Sequence, residues 1–248
     1  MKKILSMAAI ALFMMTASCS SDDDSTPVTE QSNLIKKTVM TTEDGLELVT
    51  NYNYNGNKIV SIVSSDDSST TFVYTGDLIT EVKYYEDGEL VQTEAYTYTS
   101  DNKLATHTMF LTQDYARKGE FTYNANNTIT INYFTGDAES QTTPSGTYTL
   151  TVANENITQV NTGSSISTAV YDSGFDPMYN ITGYQAVNLA YNEGGKNNVI
   201  SSTGDNVLGE AVLQYTTTYT YNGANYPVTA DETDVETGEV YHVEVFYE

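Results

Sequence analysis

Apolar and polar positions alternate with a period of two along most of the chain, from about Leu34 to the C-terminus. Between Leu213 and Tyr221, one face carries Leu213, Tyr215, Tyr219 and Tyr221, and the other carries Thr216, Thr218 and Thr220. This alternation is typical of β-strands with one buried face, because successive side chains of a strand point to opposite faces. We therefore predict strands whose bulky, Tyr-bearing face is interior and whose other face carries threonine and charge.

A strand–turn–strand unit recurs along the chain. In its clearest copy, Tyr52 and Tyr54 precede the turn Asn55-Gly56-Asn57, after which Ile59 and Ile62 follow. A spacing of three between the returning apolar residues breaks strict alternation and predicts a bulge or turn position there. Copies begin at Tyr52/Tyr54, Phe72/Tyr74, Tyr96/Tyr98, Phe121/Tyr123, Tyr148/Leu150 and Tyr219/Tyr221.

Further turns between the copies give each about two strands, so the chain is expected to hold roughly 14–16 strands joined by hairpins. Helical periodicity is missing between most of them, which favours an antiparallel meander over a parallel βαβ sheet. We predict an all-β fold, with one domain over residues 34–248 whose large antiparallel sheet is rolled into a barrel-like or curled form. Alternation alone leaves open whether the sheet closes.

One stretch, near residues 177–192, departs from the strand pattern. Asp176-Pro177 resembles a helix start, and apolar residues then recur at spacings of three and four up to Tyr191. Gly194-Gly195 provides a stop. We predict a short helix here, which could fill or cap the wide lumen that a curled sheet of this size leaves.

The N-terminus has the features of an export signal. Lys2 and Lys3 precede an apolar run that is too short to anchor in a bilayer. The run Thr16-Ala17-Ser18-Cys19 resembles a bacterial lipoprotein signal, in which the cysteine is lipidated, although Thr16 stands where leucine is commonest. Residues 1–18 are therefore predicted to be a signal peptide and Cys19 a membrane anchor. The alternative is an ordinary secretory signal.

Residues 19–33 are acidic, rich in serine and threonine, and too poor in apolar residues to fold, which predicts a solvated tether. Asp22, Asp23 and Asp24 resemble the surface-export signal of lipoproteins from the Bacteroidota, while the alternative is a plain hydrophilic linker. The expected location is the outer membrane, with the protein held by its lipid at the cell surface or on the periplasmic face.

Net charge and motifs exclude several kinds of function. The formal charge is −23, and removal of the signal with its two lysines would make it −25, which disfavours nucleic acid as a partner. No recognisable nucleophile motif or phosphate loop occurs, so we predict no enzyme activity, no cofactor and no metal site. His107 and His242 are expected on the surface or in the barrel wall, and the acidic turns are interpreted as solubilising features.

The tyrosines within the repeats are predicted to be core residues. Tyrosines outside the repeat rhythm are better candidates for exposed contacts with a glycan or protein ligand, because an exposed ring can stack while its hydroxyl bonds. These candidates are Tyr84, Tyr85, Tyr115, Tyr179 and Tyr226.

The C-terminal half carries a family resemblance. Phe175-Asp176-Pro177 is followed by Lys196-Asn197-Asn198-Val199-Ile200 and then by the stretch Tyr219 to Thr229. This order resembles a Bacteroidota lipoprotein family of unknown function with a porin-like fold, and the tyrosine units are loosely similar to tyrosine–aspartate repeat proteins. The resemblance implies a rolled sheet or barrel and transfers no catalytic residue.

The leading hypothesis is thus a non-enzymatic binding or structural module in the cell envelope. The alternative is an outer-membrane pore or pore accessory, and a glycan-acting hydrolase is the third possibility.

Overall fold

The computed structural model describes residues 33–205 and 209–248. These residues form sixteen strands in a closed antiparallel barrel, together with one short helix. Neighbouring strands are consecutive in sequence, and β16 pairs with β1, so the barrel closes where the two ends of this region meet. The predicted all-β meander is confirmed. The signal peptide, Cys19 and the Asp22–Asp24 run lie outside the described residues.

The elements in chain order are β1 (Ile35–Thr41), β2 (Glu47–Asn55), β3 (Lys58–Ser64), β4 (Ser68–Thr75), β5 (Leu78–Glu86), β6 (Glu89–Tyr98), β7 (Leu104–Thr112), β8 (Tyr115–Tyr123), β9 (Thr128–Gly136), β10 (Gln141–Ala153), β11 (Asn156–Asn161), β12 (Ile166–Phe175), α1 (Gln185–Ala190), β13 (Asn197–Asp205), β14 (Ala211–Tyr221), β15 (Pro227–Asp234) and β16 (Val240–Tyr247).

Much of the outer wall of the barrel is polar, with exposed valines such as Val63 and Val73 set among the polar residues. One outward row crosses five neighbouring strands, β2 to β6, through Asn53, Ser61, Thr71, Lys83 and Thr93. Another crosses β14 to β16 through Thr218, Asp231 and His242. A strand that faces lipid needs an apolar outward row, and these rows do not provide one. No helix of the described residues is long and apolar enough to cross a membrane.

One end of the barrel is covered by the connection between β12 and β13, residues 176–196, which we call the plug segment. The Thr182 amide donates to the Asn57 carbonyl in the β2–β3 turn (2.9 Å), and the Ile157 amide at the start of β11 donates to Gly194 (3.1 Å). The segment therefore reaches across the barrel end. Its buried apolar side chains join the core formed by the inner wall, and they are Met178, Ile181, Val187 and Ala190.

The other half of the barrel interior stays accessible to water. Inward-facing residues there keep partial exposure, among them Thr70, Tyr148 and Tyr241. A sixteen-stranded barrel is wide enough for an aqueous lumen. We call the end remote from the plug segment, where these side chains keep partial exposure, the open mouth of the lumen.

The short helix predicted near residues 177–192 is present, but α1 covers only Gln185–Ala190. Gly183 has a left-handed backbone (φ +78°), which ends any helix that runs through it. Asp176 caps a turn instead of a helix, since its Oδ1 accepts from the Met178 amide (2.8 Å).

The predicted bulges are present. Register shifts fall between Asn53 and Tyr54 opposite Ile59, and between Val73 and Tyr74 opposite Ile79. Several odd-numbered strands stop pairing with the next strand in the chain before they reach the plugged end. A backbone carbonyl of the odd-numbered strand is left without a strand partner there, and a tyrosine hydroxyl of the next strand donates a hydrogen bond to it. We call these contacts tyrosine bridges. They join Tyr98 to Ile79 (2.6 Å), Tyr123 to Leu104 (3.1 Å), Tyr171 to Ile157 (2.6 Å), Tyr219 to Val199 (3.0 Å) and Tyr247 to Pro227 (2.9 Å).

Candidate functional site

A buried polar cluster lies on the inner wall where β6 and β7 meet the plug segment. At its centre is Glu94, a fully buried side chain. Its carboxylate accepts hydrogen bonds from Tyr96, from Gln92 (2.6 Å) and from Tyr191 of the plug segment. The His107 Nε2 atom lies 3.1 Å from Glu94 Oε2. The cluster therefore attaches the plug segment to the wall through the Tyr191 hydroxyl.

Strand register brings Glu94 and His107 together. Tyr96 lies opposite His107 in the β6–β7 pair, and Glu94 lies opposite Met109. Glu94 and His107 are consequently diagonal neighbours on the same inward face, within reach of long side chains.

Burial and hydrogen bonding act on the Glu94 carboxyl in opposite directions. Burial alone would raise its pKa, but His107, Tyr191 and Tyr96 stabilise the charged form and hold the pKa below its ordinary value. Burial, reinforced by the Glu94 charge, raises the pKa of Tyr84, Tyr96 and Tyr191. The cluster is thus a buried carboxylate held by tyrosine hydroxyls that keep their protons at neutral pH, with the His107 ring beside it.

Next to this cluster is a cavity of about 130 Å³ between the inner wall and the plug segment. The only arginine of the chain, Arg117, lines it from β8. The Arg117 Cζ atom lies 3.8 Å from the centroid of the Tyr133 ring and 5.8 Å from that of Tyr148. Tyr133 in turn donates to Asn192 Oδ1 of the plug segment (3.0 Å).

A second, larger depression of about 360 Å³ lies at the other end of the barrel, between the β3–β4 and β5–β6 turns. Val63, Asp67 and Asp87 are among its lining residues, and it is shallow and open to solvent. The cavity at Arg117 is the more specific site because cationic, aromatic and amide groups converge there.

The five tyrosine candidates lie in different places. Tyr84 lies in the lumen and contacts the cluster through Glu94 (3.4 Å) and Tyr191 (3.2 Å). Tyr85 is partly buried on the outward face of β5, and Tyr115 is 44% exposed at the start of β8. The structure does not bring the five onto one surface.

The last two candidates lie beside the plugged end. Tyr179 stacks on Phe175 and donates to Glu155 (3.3 Å). The expectation that Tyr226 is exposed is wrong: it is only 5% exposed because Phe175 stacks on one side of it and Tyr247 meets its ring at an angle.

Neither Glu94 nor Arg117 stands out in the sequence, and neither histidine has an acid at a spacing typical of a His–acid pair. In the structure, His107 is a buried wall residue beside Glu94, and His242 is an outer-wall residue 2.6 Å from Asp231. Both acids lie on neighbouring strands, so spacing along the chain gives no sign of the pairs. The available signal for Arg117 was its uniqueness, together with its inward parity with Phe121 and Tyr123.

The described residues contain no group of three or more His, Cys, Asp or Glu side chains placed to hold a metal ion. They also contain no carboxylate paired with Arg117. What the arrangement offers is a water-accessible lumen with one unpaired cation set among aromatic rings.

Comparison with known proteins gives structural similarity alone. No protein-family description and no curated protein matches the sequence. Among solved structures, a porin-like protein from Bacteroides uniformis is 15% identical, has a TM-score of 0.52, and covers 86% of this chain and 96% of its own. A porin-like protein from Bacteroides vulgatus is 11% identical with a TM-score of 0.42, over 87% of this chain and 98% of its own. The first similarity agrees with the barrel fold.

Proposed function

We propose that this protein is a lipid-anchored envelope protein whose barrel stands in water and receives a small ligand in its lumen. The observation that carries the proposal is the combination of a plugged end with a polar outer wall. A plug disfavours passage through the barrel, and a wall of threonine, asparagine and charge disfavours insertion into lipid. An open mouth with a polar and aromatic interior suits capture.

The anchor is Cys19, and the tether of residues 19–33 leads into β1, which begins at the plugged end. The open mouth then lies at the end of the barrel remote from the point where the tether joins. This orientation suits a protein that samples its surroundings from the outer membrane, at the cell surface if Asp22 to Asp24 act as an export signal. Radiolabelled palmitate incorporated by the wild type and not by Cys19→Ser would support the anchor, and equal labelling would contradict it.

The proposal is non-enzymatic and needs no cofactor. Glu94 is the most deeply buried acid of the lumen, and its oxygens accept hydrogen bonds from Gln92, Tyr96 and Tyr191. Its role in the proposal is to hold the plug segment, so that the lumen keeps its shape.

A pore or pore accessory is the second candidate, because the barrel is closed, has sixteen strands and is similar in fold to a porin-like protein. Planar-bilayer recordings separate the two functions. The binding proposal predicts no channels at any protein concentration that leaves the bilayer intact, whereas stable unitary conductances would support the pore.

Thermal unfolding against a panel of sugars, peptidoglycan fragments and small organic acids tests for binding. A ligand at about 100 times its dissociation constant adds about 2.7 kcal/mol to the free energy of unfolding. A selective rise in melting temperature supports a binding module. A flat panel would contradict capture of these small ligands and favour a structural role or a protein partner.

A further inference from the structure

We propose that Arg117 anchors a site for a small organic carboxylate in the cavity between the inner wall and the plug segment. This proposal rests on the binding function above and names its ligand class. The site is defined by the unpaired charge of Arg117, the way its guanidinium is held, and the size and charge of its surroundings.

Arg117 differs from most cations of the chain in having no acidic partner among the described residues. Five lysines are paired with carboxylates, and all of these pairs lie outside the cavity: Lys58 with Asp77, Lys83 with Glu81, Lys103 with Asp101, Lys118 with Glu120 and Lys196 with Glu155. The chain has 33 acidic residues and only 10 lysines and arginines, so carboxylates that could pair with a cation are abundant. The one arginine is nevertheless left without one in the lumen, where an incoming anion can pair with it.

The guanidinium is held by its face, which leaves its edge for a ligand. Its Cζ atom lies 3.8 Å from the Tyr133 ring centroid, so the aromatic ring covers one face. The five N–H donors of arginine lie in the guanidinium plane and match a carboxylate with two parallel hydrogen bonds. The described residues contribute no hydrogen bond to these donors.

Gly119 makes this stacking possible. It lies two residues from Arg117 on the same face of β8, and a Cβ atom there would come within 3.1 Å of Tyr133 Cε1 and 3.2 Å of Ile131. The absence of a side chain lets the Tyr133 ring lie close to the strand beneath the guanidinium. The cation is therefore placed by packing before any ligand arrives, which lowers the entropic cost of binding.

The surroundings favour a small monoanion. The cavity of about 130 Å³ is close to the volume of about 150 Å³ that accommodates a benzene-sized molecule. His107, only 5% exposed, and Asn192 add polar groups to the lining, and Met109 adds an apolar one. One arginine balances one negative charge. A dianion such as a phosphate monoester would leave a second charge beside Glu94, and a neutral molecule would leave Arg117 unpaired.

Isothermal titration of the protein purified from envelopes tests the proposal. The probes are benzoate and glucuronate, each compared with its neutral counterpart, benzamide or glucose, and sulfate is added as a dianion. The expected result is binding of at least one carboxylate, with its neutral counterpart and sulfate at least about tenfold weaker. Binding of benzoate alone indicates an aromatic acid, and binding of glucuronate alone indicates a sugar acid.

Neighbouring positions on β8 provide a matched pair of variants. Arg117→Met and Lys118→Met each remove one positive charge, from the inner and the outer face respectively. Arg117→Met should weaken carboxylate binding about tenfold or more, and Lys118→Met less than about twofold. Arg117→Lys keeps the positive charge but loses the two parallel hydrogen bonds of the guanidinium, so its affinity for the carboxylate should lie between those of the two Met variants. If Arg117→Met fails to fold, Arg117→Lys is compared with Lys118→Met instead.

Three results would overturn the carboxylate site: no carboxylate bound at about 10 mM, equal binding of acid and neutral counterpart, or equal affinity in wild type and Arg117→Lys or Arg117→Met. A neutral ligand that binds the lumen independently of Arg117 would also overturn it while leaving the binding function in place. Channel formation in bilayers would instead contradict the binding function itself.

Discussion

At the scale of single residues, the tyrosine hydroxyl explains the unusual composition of 21 tyrosines and no tryptophan. Near the plugged end, neighbouring strands no longer pair, and a backbone carbonyl such as that of Ile79 or Leu104 has no amide donor on the next strand. A tyrosine on the next strand reaches it with its hydroxyl, as Tyr98 and Tyr123 do, while its ring packs in the core. Phenylalanine would fill the space and leave the carbonyl unsatisfied.

Tyr98→Phe should therefore lower the free energy of unfolding by about 1–2 kcal/mol, because the Ile79 carbonyl loses its donor. Tyr115→Phe is the control, since Tyr115 is 44% exposed and forms no tyrosine bridge. Urea unfolding of both variants measures the difference. Equal, small effects at the two positions would contradict the structural role of the bridges.

Glu94 makes a pH-dependent contribution to stability. Its pKa is lowered in the folded state, so the stabilisation is present above the unfolded value of about 4.3 and is lost as the pH falls through the folded pKa. Glu94→Gln should cost about 3 kcal/mol at neutral pH, since His107, Tyr96 and Tyr191 lose their charged partner. Chemical unfolding at pH 7 and pH 3 measures this.

The cost of Glu94→Gln should be smaller at pH 3 than at pH 7, because the stabilisation that the lowered pKa provides begins to decline once the pH is below the unfolded value of about 4.3. Glu120→Gln is the control, because Glu120 pairs with Lys118 on the exposed outer face. A cost that is the same at both pH values would mean that the charge of Glu94 does not hold the cluster.

At the scale of elements, the plug segment is shaped by its glycine. A Cβ on Gly183 would lie 2.8 Å from the Asp77 carbonyl oxygen, and its φ of +78° is strained for other residues. Gly183→Ala should cost roughly 2–3 kcal/mol through strain and overlap. Gly223→Ala, which has open space around its Cβ position, should change stability little. Thermal unfolding compares the two, and similar melting temperatures would contradict tight packing of the plug segment.

Asp176, at the start of the plug segment, should make the protein less stable as pH rises. The residue is partly exposed, but protein encloses its carboxyl, and burial raises the pKa to about 7 against the opposing hydrogen bond from the Met178 amide. Because the folded pKa exceeds the unfolded one, this stabilisation is complete below about pH 4 and is lost as pH rises through about 7.

Asp176→Asn keeps an oxygen for the Met178 amide and removes the charge. It should thus be more stable than the wild type at pH 8 and lose that advantage by pH 4. Asp114→Asn, at an exposed turn, serves as the control. The measurement is the free energy of unfolding of the wild type and of Asp176→Asn between pH 4 and pH 8. A difference between the two proteins that did not vary with pH would contradict the raised pKa of Asp176.

The elements differ in how far the sequence could predict them. Strands and bulges were predictable because alternation and the three-residue spacing, as at Ile59 and Ile62, are local. The plug helix was predicted too long, because apolar spacing continues through Gly183 where the backbone does not. The site was not predictable, because its contacts join residues of adjacent strands and depend on how those strands are aligned. Glu94 contacts His107 from β6 to β7, and Arg117 contacts Tyr133 from β8 to β9. Barrel closure likewise depends on pairing between distant strands, β1 and β16.

At the scale of the whole molecule, the two faces of the wall divide the roles. The inner face supplies the core, the tyrosine bridges and the lumen, and the outer face carries threonine and charged side chains in a chain with a formal net charge of −23. Our proposal places a barrel with this outer face in water, although closed barrels of sixteen strands also occur as membrane porins. The plug segment then makes the lumen a chamber with one mouth.

Sedimentation of residues 33–248 in detergent-free buffer, with and without liposomes, distinguishes a barrel that stands in water from one that inserts into lipid. A barrel in water should give a dispersed, folded species with a β-sheet circular dichroism spectrum that stays in the supernatant when liposomes are pelleted. Aggregation without detergent, together with co-sedimentation and protease protection in liposomes, would contradict it and identify the barrel as a membrane-inserted one.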